Sequence, residues 1–228
     1  SLLDRLQMFV MRSDVAFRTS SDLAVMCLND NSELGRFLTS SWCQAGPAWP
    51  KECYDESKST QPVQLIVVPV SDAIDIIKES EGEIRLLDSD YWNLLQIRHG
   101  VASITASTSD LFTPQNLNLD LISGVSFTKG CYPGQEIVAR LRYLGRVKQR
   151  LLRGRFQDEC EVRVGQSVTL ADRTDSKAGV IVNASALEGV TTECLLSVHG
   201  FLDAENVFCS RAQPSKLITT QPLPYPLQ

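Results

Sequence analysis

No stretch of this sequence is long and apolar enough to cross a bilayer. Its strongest hydrophobic run, VQLIVVPV at 63–70, is far short of the roughly 20 residues that a spanning helix needs. Histidine is scarce: His99 and His199 are the only two, each standing alone beside a glycine, where helix-end or strand-end packing is the expected role. There is no Cys-x-x-Cys pair, and the nearest two cysteines, Cys43 and Cys53, are ten positions apart. Permanent zinc and iron-sulfur sites draw on four Cys or His ligands with close pairs, so no stable metal site is expected. A phosphate loop, a nucleophile triad, an internal repeat and a low-complexity tract are all absent. Positive charge is also short, at net -5 with a pI near 5.1, which argues against a general nucleic-acid binder held by charge. Any basic surface must be local.

The N-terminus, SLLDRLQMFVMRSDVAF, lacks the basic region and small-residue cleavage site of a secretory signal. It begins without Met, as expected of a fragment or a processed chain. Seven cysteines are present, an odd number in a chain too large to need staples. This predicts reduced thiols, a cytoplasmic protein, and cysteines that mostly pack as small hydrophobes. Apolar residues make up 43% of 228, enough to bury one large core or two smaller ones.

Leu2, Leu6, Phe9 and Val10 have helical spacing, and DVAFRTSSDLAVMCLND reads as two strands around a Ser-Ser-Asp turn. NSELGRFLTSSWCQAG predicts a helix capped by Asn31 or Ser32, and PAWPKECYDESKSTQP a surface loop. VQLIVVPV is a buried strand; SDAIDIIKES is a helix capped by Ser71 with Ile74, Ile76 and Ile77 as its apolar stripe. Together these predict an α+β layer at 1–83. DYWNLLQIRHG reads as a helix ending near Gly100, followed by the loop FTPQNLNLD. After Gly145 come the short strands RVKQRLLRGRF, QSVTLA, KAGVIVNAS, TTECLLSVHG and KLITTQPL, regular enough for a small all-β sandwich or barrel.

KGCYPGQEIVAR at 129–140 stands out, because Cys131 is set between glycines at the mouth of a predicted helix. Pro133 suits a first helical turn, and Ile137, Leu141 and Leu144 supply one face before Gly145. A cysteine just before a helix N-terminus, with Lys129 two residues away, is favoured as a thiolate. Gly130 and Gly134 permit a tight turn or the close approach of a ligand. The same segment reads equally well as a Gly-punctuated turn whose cysteine merely packs, and Glu136 as a simple i,i+4 partner of Arg140. From Arg140 to Arg155 there are seven cations in 16 residues without one acid. That is a basic strip for a polyglutamate, RNA or an acidic partner, or else a solvated helix end and strand face. No aromatic stacking platform accompanies it, which weakens direct tRNA binding.

KGCYPGQE resembles the signature of the YgfZ family, folate-binding relatives of the aminomethyltransferase (T-protein) of the glycine cleavage system. The resemblance extends through IRHGVA, FTPQNLNLD and GVSFTKGCY to the closing PLPYPLQ. It implies a ring of lobes around a folate channel: a ferredoxin-like α+β lobe, here 1–83; part of a discontinuous α+β folate-binding lobe, 84–147; and a C-terminal β-barrel, 148–228. The family's further N-terminal portion, with the T-protein's catalytic aspartate, is expected to be missing. Lys129, Gly130, Cys131, Tyr132, Gly134, Gln135, Glu136 and Arg140 carry over as the signature, with Cys131 as the functional thiol. A folate needs an aromatic wall, a polar edge and cations for its glutamate tail. Tyr132 and Trp92 are the stacking candidates, Gln135 or Glu136 the edge, and Arg98 or Arg140 the tail. The implied role is a tetrahydrofolate-binding accessory to iron-sulfur enzymes, such as a radical tRNA methylthiotransferase. A folate-dependent one-carbon transferase and a folate-binding scaffold with a structural cysteine are the alternatives.

Overall fold

The computed structural model describes residues 2–8, 10, 15–28, 43–47, 64–79, 86–158, 160–186, 191–200 and 207–227. The chain divides into two compact units, Ser1–Ala48 with Val63–Arg85, and Trp49–Pro62 with Leu86–Gln228. The fold is mixed α+β.

In the first unit a short helix α1 (Leu2–Gln7) precedes strands β1 (Leu23–Leu28), β2 (Cys43–Pro47) and β3 (Gln64–Pro69), which lead into helix α2 (Val70–Glu79). The sheet has the order β1-β3-β2, with both pairings antiparallel. β3, in the centre, is the VQLIVVPV run, and it buries Ile66 and Val68 against Ala73 of α2, with Ala24, Met26 and Ile76 packed around them. The expected strand before the Ser-Ser-Asp turn is absent, since 15–20 has no regular structure. Cys43–Gly46, expected as the end of a helix, is strand instead. The rest of that helix and most of the following loop lie outside the described residues. Ser71 is inside α2 rather than at its cap, and Ile74 and Ile77 face outward while Ala73 is buried.

The second unit contains helix α3 (Ser89–Arg98), a 3₁₀ turn (Pro114–Leu117), helix α4 (Gln135–Tyr143) and strands β4 (Gln149–Phe156), β5 (Ser167–Leu170), β6 (Arg173–Ser185), β7 (Glu193–His199), β8 (Val207–Ser210) and β9 (Gln213–Gln221). These six strands close into a barrel in the order β4-β7-β6-β5-β8-β9. Closure removes the sheet edges that an open sandwich would expose. Five strands fall on the predicted segments; β8, four residues long, is additional.

Phe156, Val168, Ile181, Cys194, Leu196, Phe208 and Ile218 fill one buried cluster of the barrel. Leu151, Val182 and Leu195, from alternate positions on β4, β6 and β7, join a second with Ile97 of α3 and Leu117 of the 3₁₀ turn. β7 is therefore buried on both faces, which is why ECLLSV reads as a continuous run rather than an alternation.

Side-chain amides fasten the helical segment to the barrel. Asn118, in the left-handed region at φ 57°, accepts from Leu151 N–H at 3.1 Å and donates to Leu151 O at 2.9 Å, standing in for a strand partner. Asn183 does the same for Ser103, with both bonds at 3.0 Å. Asp88 caps α3 through Asp90 and Tyr91 N–H. At the other end of α3, Gly100 adopts φ +67°, and a Cβ there would lie 2.7 Å from Tyr225 Oη. Tyr225 donates to Gly100 O at 2.6 Å, so the closing segment around Tyr225 is held at the end of α3.

Candidate functional site

The local chain path sets how Cys131 is presented. Lys129 N–H donates to Ser126 Oγ at 3.2 Å, and Gln135 N–H donates to Tyr132 O at 3.1 Å. Gly134, at φ 84° and ψ -2°, has the third-position geometry of a type II turn, for which proline suits the second position and glycine the third. Pro133 therefore serves the turn Tyr132–Gln135, and α4 starts two residues later than a proline in its first turn would require. Cys131 sits four residues ahead of that helix, exposed and not in a disulfide. It does not pack into a core.

The other described cysteines differ. Cys194 and Cys209 are buried. Burial pushes the Cys194 thiol far up, and raises Cys160 more modestly. A thiol buried like that of Cys194 stays protonated and inert. Cys27 is the second exposed cysteine, but it lies on edge strand β1 of the other unit, without a glycine-bounded turn.

Around Cys131, the Lys129 ammonium lies 4.6 Å from the centroid of the Tyr132 ring, a cation–π arrangement that orders both side chains. A Cβ on Gly130 or Gly134 would meet nothing within 4 Å. Gly134 is thus demanded by its backbone angle and not by crowding. α4 is held by Gln115 of the 3₁₀ turn, whose Nε2 donates to Val138 O at 2.7 Å, and Val138 is its buried residue. The predicted stripe faces the other way, with Ile137 60% and Leu144 86% exposed. Glu136 and Arg140 are exposed, and no ion pair joins them among the described residues.

Cys131, Tyr132, Gln135, Glu136 and Arg140 thus come together on one turn and helix. Trp92 and Arg98 lie on a separate element, α3. Trp92 is half-buried on α3, and Arg98 is committed elsewhere. Its Nε and Nη2 both donate to Glu193 Oε1, at 3.1 and 2.9 Å. Arg153 donates by the same two atoms to Oε2, at 3.3 and 2.8 Å, and Arg155 Nη2 reaches Oε1 at 3.4 Å. Burial alone raises the Glu193 carboxyl, but hydrogen bonds from Arg98 and the charge of Arg153 outweigh it and hold the group below the usual carboxylate range. His99 is pushed below its ordinary value by burial, reinforced by Arg153 and Arg98, against the pull of its hydrogen bond to Leu95 O.

The basic strip accordingly splits. Arg153 and Arg155 belong to Glu193, and Arg150 pairs with Asp120 at 2.7 Å. Arg140, Arg142, Arg146 and Lys148 remain exposed. The Glu193 node escaped the sequence reading, and its one signal was a lone acid opening the run CLLSV. Among the described residues, no group of three or more His, Cys, Asp or Glu is placed to hold a metal ion, and no helix is long and apolar enough to cross a membrane.

A closed barrel, a layer of amide-clamped helices on its outer face and a glycine-bounded turn presenting one thiol define a class: barrel-based α+β proteins with a displayed cysteine. No protein-family model matches the chain. Curated relatives do. The tRNA-modifying protein YgfZ of Pectobacterium carotovorum is 32% identical over 169 residues, covering 71% of this chain and 49% of the relative. That of Edwardsiella ictaluri is 34% identical over 188 residues, covering 78% and 51%. In Colwellia psychrerythraea the figures are 38% over 146 residues, covering 60% and 42%. The chain belongs to the YgfZ family, and it spans about half the length of the curated relatives it matches.

Proposed function

We propose that this chain is the cysteine-bearing, tetrahydrofolate-binding part of a cytoplasmic protein that supports iron-sulfur enzymes and, through one of them, a radical methylthiotransferase, the modification of tRNA. The relatives' name, tRNA-modifying protein, supports the last link. The observation that carries the reading is the exposed Cys131, directly before a turn that Gly134 makes possible and next to Tyr132, whose ring lies under the Lys129 ammonium.

The neighbouring groups suit a folate. Tyr132 offers an aromatic wall, Gln135 and Glu136 a polar edge, and Arg140 a guanidinium free of ion pairs among the described residues for a glutamate carboxylate. Arg98 suits the tail less well, because drawing it away would leave the buried Glu193 short of one partner. Bound tetrahydrofolate would supply carriage of a one-carbon unit. The protein's part is to hold ring and tail against the segment that carries the thiol.

Two measurements test the reading. Calorimetric titration with tetrahydrofolate should show binding that Glu136→Ala or Arg140→Ala weakens about tenfold each, roughly 1.4 kcal/mol. In cells lacking the full-length protein, Cys131→Ala should fail to restore methylthiolated tRNA. Undiminished restoration would make the cysteine structural and the protein a scaffold, whereas steady turnover of formaldehyde or methylamine by purified protein would make it a one-carbon transferase.

A further inference from the structure

The four cations of the strip that form no ion pair among the described residues are not evenly spread. Two of them, Arg142 and Arg146, line an open depression of about 380 Å³ between the end of α4 and the start of the barrel, together with Arg150, Asp120, Leu141 and Val147. Asp120 is the one acid among its described lining residues, and Arg150 already neutralises it at 2.7 Å. Arg142 and Arg146 form no ion pair among the described residues, so the depression carries two positive charges without a counter-charge.

One detail favours a bound anion over a merely solvated rim. The Arg142 guanidinium is stacked over the Phe127 ring at 5.1 Å, and Phe127 in turn meets Tyr143 edge-on at 6.3 Å. Arg142 is therefore held in place before any ligand arrives. Opposing this is the C-terminal end of α4, equivalent to about half a negative charge, which two full guanidinium charges outweigh.

We propose that this depression binds a phosphomonoester. A phosphomonoester carries about -1.5 to -2 charges at pH 7 and three strong acceptor oxygens, which matches two uncompensated guanidinium forks. A single carboxylate would leave one of them unneutralised. Arginine forks meet phosphate oxygens in pairs, and Leu141 and Val147 supply apolar wall for the organic group that the phosphate carries. This inference does not rest on folate binding, because tetrahydrofolate has carboxylates and no phosphate.

The test is calorimetric titration of the whole chain at constant ionic strength with inorganic phosphate, ribose 5-phosphate and ribose. Ribose 5-phosphate should saturate with a Kd below about 10 mM, inorganic phosphate more weakly, and ribose not at all. Arg142→Ala with Arg146→Ala should weaken ribose 5-phosphate at least tenfold. Both side chains are exposed, so the pair can be removed with the fold intact, as thermal unfolding will verify. Arg163→Ala, outside the depression and exposed, should bind like wild type. Absence of saturation, equal binding by the double variant, or an equal loss in Arg163→Ala would overturn the proposal.

Discussion

Two stretches of this chain hold the same kind of side chain in opposite circumstances. On β4 the arginines are consumed: Arg150 by Asp120, and Arg153 with Arg155 by Glu193, which they share with Arg98 of α3. On α4 and the turn before it, Lys129 leans on an aromatic ring, Arg140 and Arg142 pair with no acid among the described residues, and Cys131 stands in solvent. A buried charge must be paired, because desolvation costs several kcal/mol per ion, whereas an exposed one need not be. Burial thus separates the charges that hold α3 to the barrel from those left available for chemistry, within a single run of 16 residues.

The strongest way to break this contrast is to remove the node on the consumed side. Glu193→Ala would leave three guanidinium groups facing one another without a carboxylate, and should cost at least about 3 kcal/mol of unfolding free energy, read from urea midpoints at constant m. A loss under 1 kcal/mol, by the same scale, would mean that water already screens the cluster.

The same node sets a pH dependence. Glu193 is held below its unfolded value, near 4.3, so its contribution is complete above that pH and is lost as pH falls through the folded value. His99 is held below its unfolded value, near 6.5, so the unfolded state takes up its proton first and stability begins to fall below that pH. Both act in one direction, and thermal midpoints should decline from about pH 6.5 downward. Glu193→Gln should flatten the lower part of the decline and leave the upper part, which belongs to His99.

A smaller effect is expected at Gly100→Ala, where a left-handed φ and the 2.7 Å approach to Tyr225 Oη combine. About 2 kcal/mol should be lost, with the closing segment becoming more accessible to carboxypeptidase. At the bottom of the scale, Cys131→Ser should change stability by less than about 0.5 kcal/mol, as exposed substitutions do, while abolishing function in cells. A large stability loss there would erase the contrast, because it would make Cys131 a packing residue.

How far these features were legible depended on how local their causes are. Five barrel strands were readable because short apolar or alternating runs recur between Gly, Asp or Asn turns, β7 as a continuous run. β8 was not, since four residues carry too little pattern. Cys43–Gly46 followed a capped, helix-like sequence, and tertiary pairing with β3 prevailed. The stripe Ile137, Leu141, Leu144 was read correctly as a helical face, but periodicity cannot say which face is buried. Here Gln115, 23 positions upstream, decides it by binding the Val138 carbonyl. The Glu193 node was invisible for the same reason, because its arginines lie 38 to 95 positions away. The glycine punctuation around Cys131 was readable because it is complete in five residues, but Pro133 was placed in the helix, since the φ that proline fixes suits a first helical turn and the second position of a β-turn alike.

The central claim is that Cys131 is displayed for chemistry with a folate held beside it. The most direct measurement is the rate at which iodoacetamide modifies each cysteine, followed peptide by peptide in the mass spectrometer, with and without tetrahydrofolate. Cys131 should react well ahead of the buried Cys194 and Cys209, and tetrahydrofolate should slow Cys131 alone. Reaction no faster than at the buried thiols, or a rate at Cys131 indifferent to saturating tetrahydrofolate, would contradict it.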